Sequence, residues 1–127
     1  MLENTPSVQL DAITDSNDER IGMTDQALMR SVVDHLRYSF AKNSKTASED
    51  DLYLAMSLAI RDRLIHRWMK TMKQYYQTDA KRVYYLSAEY LIGRSMGNNL
   101  MNLGLTERAD KLLSSYNLHL KDIESHE

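Results

Sequence analysis

Four histidines, His35, His66, His119 and His126, are the side chains best suited to bind a metal or move a proton near neutral pH. They lie far apart, and no HExxH or comparable ligand spacing joins them, so no metal site is expected. Ser87 lacks the G-x-S-x-G surroundings that expose a nucleophile at a strand-to-helix turn. Gly93-Arg94-Ser95-Met96-Gly97 has neither the spacing of a phosphate-binding loop nor its Lys-Ser/Thr ending. Helix capping is the plainer use of that segment, although a helix start beside Arg94 also suits an anion. Glu89 directly follows a run of β-favouring residues, and acidic groups at strand ends line clefts in α/β proteins. Arg61, Arg63, Arg67, Lys70 and Lys73 alternate with Trp68, Tyr75 and Tyr76, a mixture that could meet nucleic acid. The ordinary reading of that stretch is a solvated helix face with the aromatics packed inward.

Composition narrows these options. The chain has 127 residues, 43% hydrophobic and 27% charged, which is globular and about one domain in size. A formal net charge of −2 gives no electrostatic reason to expect a nucleic-acid partner. With no cysteine, disulfides, thiolate metal sites and Cys nucleophiles are excluded, and a reducing cytoplasm suits the chain. No apolar run approaches the roughly 18 residues of a membrane span. Residues 1–18 carry no Lys or Arg ahead of an apolar core, so they do not read as a secretory signal.

The elements that must position any site are mostly helical, as a single proline and four glycines suggest. Residues 1–23 are acidic and aperiodic and read as a flexible arm; residues 24–127 read as the folded part. Thr24 caps a helix from Asp25 to Phe40 in which Leu28, Val32, Leu36 and Phe40 recur every four residues. Ser48, with Glu49, Asp50 and Asp51 in the first turn, starts a helix running to about Gln77. Leu52, Met56, Ile60, Leu64, Trp68, Met72 and Tyr76 line it, beside a second row of Leu54, Leu58, Ile65 and Met69. So broad an apolar surface needs cover on more than one side. Arg82 to Ser87 is β-branched and aromatic and reads as one isolated β-strand. Ser95 to Leu103 is expected to be helical and to end at Gly104. Thr106 is expected to cap a helix to about Tyr116 with Leu112 and Leu113 inward, and a further helix to begin after Leu118. The expected class is mainly α with a lone strand, and both the strand and the wide helix surface suggest an incomplete fold.

Lys81-Arg82-Val83-Tyr84-Tyr85-Leu86-Ser87-Ala88-Glu89 and Gly93-Arg94 resemble the KR-(I/V)-YYLS-x-E and GR motifs of α-glucan (glycogen, starch, maltodextrin) phosphorylases. Asn98-Asn99-Leu100-Met101-Asn102-Leu103-Gly104 is similar to NNLxNLG of bacterial members, and Arg61-Asp62 with Arg67-Trp68 and Tyr75-Tyr76 to RDxLxxRW…YY. The resemblance runs from about His35 to the last residue and leaves residues 1–23 outside.

The resemblance implies an N-terminal part of a two-domain Rossmann-like (GT-B type) glycosyltransferase. Such enzymes use pyridoxal 5'-phosphate and inorganic phosphate to release glucose 1-phosphate from α-1,4-glucan, and are typically cytoplasmic dimers. The family's glycine-rich active-site loop and cofactor lysine have no counterpart here, so the chain alone is expected to be inactive. Glu89 matches a glutamate near the glucosyl and phosphate site, and Arg94 an arginine that is structural or close to the cofactor. Leu91 stands where animal members place a tyrosine near the cofactor, so that contact does not transfer. Tyr76 matches the tyrosine that stacks on AMP in animal members, whereas Met72, Lys73 and Asn43 replace the other residues of that allosteric site. The alternative reading is a helical interaction module that docks on a partner or a homologous chain through its uncovered face.

Overall fold

The computed structural model describes residues 18, 20–89 and 93–127, which form five α-helices and one π turn. Most of the expected arm, and Leu91, lie outside the described residues. Helix α1 is Asp25–Asp34, followed by the π turn His35–Ser39; α2 is Glu49–Gln77, α3 Met96–Leu103, α4 Thr106–Ser114 and α5 Leu120–Glu124. Among the described residues there is no strand.

Local chemistry sets each boundary. The Thr24 hydroxyl accepts from the Ala27 amide at 3.1 Å and starts α1 as expected. Asp25 in its first turn bonds Lys111 and Arg108 of α4. The Lys111 hydrogen bond, opposed by some desolvation and helped by both cations, holds the Asp25 carboxyl below its ordinary range. The expected α-helix to Phe40 stops early: the Phe40 amide reaches back five residues to the His35 carbonyl, at 3.2 Å. That wider turn keeps Leu36 at 3% exposure while His35 faces α2. Ala41, at φ 53°, then ends the element, and the Lys42 amide closes on the Leu36 carbonyl at 2.8 Å.

Helix α2 has a complete capping box: the Asp51 amide donates to the Ser48 hydroxyl at 3.1 Å, and the Ser48 amide to the Asp51 carboxylate at 2.9 Å. That backbone bond from Ser48, with its hydroxyl and Lys42 in support, lowers the Asp51 pKa. Gly104, at φ 70°, terminates α3 as expected, a conformation costly for a residue with a Cβ. The following Leu105 amide bonds the Leu100 carbonyl at 2.9 Å, and the Leu105 carbonyl accepts from Ala109. Leu105 therefore both closes α3 and caps α4, a role the sequence pattern assigned to Thr106 one residue on.

Helix α1 packs on α2 and α4, α2 also on α3 and α5, and α4 on α3 and α5. The shared core holds Leu28, Val32, Leu52, Met56, Ile60, Leu100, Leu105, Leu113 and Ile123, with Leu112 and Leu113 inward as expected. Each such large side chain contributes roughly 1.5–3 kcal/mol on burial.

The strand expected over Arg82–Ser87 is a correction. The segment is extended but unpaired, and Val83, Tyr84, Tyr85 and Leu86 are 94%, 78%, 83% and 88% exposed. Propensity sets an extended backbone; a strand also needs a neighbour to accept its ladder, and the described residues provide none.

Candidate functional site

Tyr76 sits in the last turn of α2 and is exposed. The Arg82 guanidinium lies over its ring, 5.1 Å from the centroid, so one face of the aromatic is already occupied by a cation. Hydrogen bonding to Tyr76, and then to Tyr84, holds Arg82 above its ordinary range. Glu89 is exposed at the end of the extended segment, its amide donating to the Ser87 hydroxyl at 3.1 Å. Arg94 is exposed immediately before α3. Residues 90–92, between these two, lie outside the description.

The start of α3 is held from the far end of the chain. The Glu127 carboxylate accepts from the Ser95 amide, from its hydroxyl at 2.8 Å, and from the Met96 amide at 3.1 Å. The Ser95 amide bond is the largest cause of a lowered Glu127 pKa, with the Arg94 charge adding to it. Glu124 lies so close to Gly97 that a Cβ there would meet its carboxylate oxygen at 2.5 Å. A side chain at position 97 would require only that the flexible end of Glu124 turn aside.

Two polar clusters escaped the sequence reading. His35 Nε2 lies 3.1 Å from Asp62, and Nδ1 lies 3.2 Å from the Ser39 hydroxyl. With a carboxylate on Nε2, the fitting neutral tautomer carries its proton there and accepts from Ser39 at Nδ1. This clasp fastens the π turn to α2 and lines a cavity of about 480 Å³ with Arg20 and Arg30. The second cluster centres on Arg63, 1% exposed, whose guanidinium donates to the carbonyls of Gly22 and Ala59. Burial pushes its pKa below the ordinary arginine range. Its flank is a cavity of about 520 Å³ lined also by Gly22, Met23, His66, Arg67 and Lys70. Arg63 reads as one more charge in Arg61-Asp62-Arg63, yet it follows Met56, Ala59 and Ile60 on the buried row, a signal the spacing did contain.

Neither Glu89, Arg94 nor Tyr76 lines these two cavities. Among the described residues, no group of three His, Asp or Glu side chains could hold a metal ion. Pyridoxal phosphate needs a lysine amine beside a phosphate cradle. Lys70 and Lys121, which line described cavities, are both exposed, and Lys121 lies among Glu107, Asp110 and Glu124. These residues do not fit the cofactor.

No family profile matches the chain. It is 41% identical to a glycogen phosphorylase of Synechocystis sp. over 106 residues, 84% of this chain and 12% of that protein. It is 39% identical to the brain form of glycogen phosphorylase of Bos taurus over 90 residues, 71% of this chain and 11% of the relative. Against a glycogen phosphorylase of Chlamydia pneumoniae the identity is 38% over 102 residues, 78% of this chain and 12% of the relative. The chain spans about an eighth of the length of these relatives. With bacterial and animal relatives matched over most of its own length, the chain is a homologue of the glycogen phosphorylases, consistent with an N-terminal segment of one.

Proposed function

We propose that the chain serves as the N-terminal segment of a glucan phosphorylase, which releases glucose 1-phosphate from α-1,4-glucan with inorganic phosphate. The observation that supports this reading is the 38–41% identity with glycogen phosphorylases over 71–84% of the chain, and the exposure of Val83, Tyr84, Tyr85 and Leu86 is compatible with it. Two aliphatic and two aromatic side chains exposed in succession suit a segment that a partner surface covers. The natural cover is the body of the phosphorylase fold, two Rossmann-like domains, which would also supply the sheet this segment joins and the pyridoxal phosphate. In that setting residues 24–127 form the helical start of the first domain and residues 1–23 its arm. The assembled enzyme is a cytoplasmic homodimer. No described helix is long and apolar enough to cross a membrane.

Glu89 and Arg94 are the residues of this chain assigned to the neighbourhood of the active site. Glu89 is a polar contact for the glucosyl and phosphate groups and not the proton donor. Arg94, beside the first turn of α3, is structural or faces the cofactor. Tyr76 is the candidate contact for a nucleotide effector, which would have to share its ring with Arg82.

The test is complementation. The 127-residue chain alone is expected to yield no glucose 1-phosphate from glycogen and phosphate. Co-expressed with a homologous glycogen phosphorylase lacking its matched segment, it is expected to restore phosphorolysis, and E89Q to reduce the restored rate. Product from the isolated chain would contradict the reading. Tight association with the remainder but no activity would favour the second reading, a helical module that docks through the same exposed face.

A further inference from the structure

We infer that residues 20–23 form a releasable strap across α1 and α2, and that Arg63 is its latch. The strap lies outside any helix and leads into the Thr24 cap of α1, and the Ile21 amide within it donates to the Asp18 carbonyl at 3.1 Å. The single carbonyl of Gly22 receives two N–H groups from Arg63, from Nε at 3.0 Å and from Nη2 at 2.7 Å. The remaining bonds of the guanidinium, to the Ala59 carbonyl at 2.7 Å and the Ser31 hydroxyl at 3.4 Å, anchor it to α2 and α1. Arg63 therefore fixes three pieces of chain at one point, with Gly22 41 residues away in sequence.

The acceptors are all neutral oxygens, so a cation sits 1% exposed with no carboxylate among the described residues bonded to it. Asp62, which acts on it through space, is engaged by His35 at 3.1 Å and lies 3.9 Å from Arg20. Burying an arginine this way is costly, and the strap is what shields it. The strap's own apolar hold is small: Gly22 has no side chain, and Ile21 and Met23 are only half-buried. Met23 packs on the edge of the core and the Arg63 bonds to Gly22 supply the polar hold, the arrangement of a segment that opens while the helices stay folded. The strap also forms one side of both polar cavities, since Arg20 lines one and Ile21, Gly22 and Met23 the other. Opening it uncovers the Arg63 guanidinium beside His66, Arg67 and Lys70.

Trypsin reads this state directly, because Arg20–Ile21 is a cleavable bond inside the strap. On the full chain, R63M is expected to raise cleavage after Arg20 by about tenfold or more, through loss of bonds from a charged donor. Cleavage after Lys81 and Arg82, in the exposed segment, serves as the internal reference and should not change. The melting temperature of the helices should hold or rise, because a buried cation is replaced by an apolar side chain of similar reach. R63K, which keeps charge without the fork, should leave the strap open. M23A should raise cleavage less than R63M does, and this comparison stands even if one arginine variant folds poorly. Unchanged cleavage in R63M, a larger effect from M23A, or loss of the helices in step with the strap would each overturn the proposal.

Discussion

The two halves of α2 have nearly the same pattern of apolar residues and opposite fates. From Leu52 to Arg63 the row is buried, with Ala55, Met56 and Ala59 at 0% exposure under α1, α3 and α5. From Trp68 onward it is open, with Trp68, Met69 and Tyr76 at 59%, 61% and 67%. One helix of 29 residues is thus half core and half projecting surface. An apolar stripe specifies that a helix face will be covered, but says nothing of which chain covers it. The extended segment 81–89 continues the open half, so the uncovered surface is contiguous along the sequence.

Substitutions should separate the two halves by size of effect. M56A in the covered half is expected to cost about 2–5 kcal/mol in urea unfolding, because truncation leaves a cavity among α1 and α3. Equal effects from M56A and from a variant of the open half would erase the distinction. S48A, at the start of the covered half, is expected to cost about 1 kcal/mol by removing the hydroxyl that the Asp51 amide uses. W68A should change stability of the isolated chain by less than about 0.5 kcal/mol, as an exposed side chain does.

Acid provides a gentler probe of the same end of α2. Asp51 has a folded pKa below its unfolded value, so its contribution is fully present above the unfolded pKa. It fades as pH falls through that value toward the folded one. The D51N variant is expected to lose stability at neutral pH and to show a shallower decline between about pH 5 and pH 2 in thermal melts. An identical acid profile in both proteins would remove Asp51 from the account.

Much of the covered half was legible in sequence because its signals are local. Ser48 with Asp51, Thr24, and Gly104 each satisfy orphan backbone groups within one turn, and the structure uses all of them. The π turn at His35–Ser39 was not legible, since its hydrogen bonds follow from fitting Leu36 into the core and His35 against Asp62. Arg63 was hidden by its charged neighbours although its spacing placed it on the buried row. The strand over 82–87 failed for the opposite reason: its local signal is strong, but a ladder is a property of two segments. Glu89, Arg94 and Tyr76 came from a resemblance alone, and neither polar cavity is lined by any of them.

The measurement to make is hydrogen exchange over peptides spanning 64–77 and 81–89, in the chain alone and co-purified with the rest of a homologous phosphorylase. Slow exchange of 49–63 in both samples, with 64–77 and 81–89 fast alone and protected in the complex, is the expected result. Fast exchange of 64–77 and 81–89 in an active complex would contradict it, because the open half of α2 would then not be the surface through which the chain joins the enzyme.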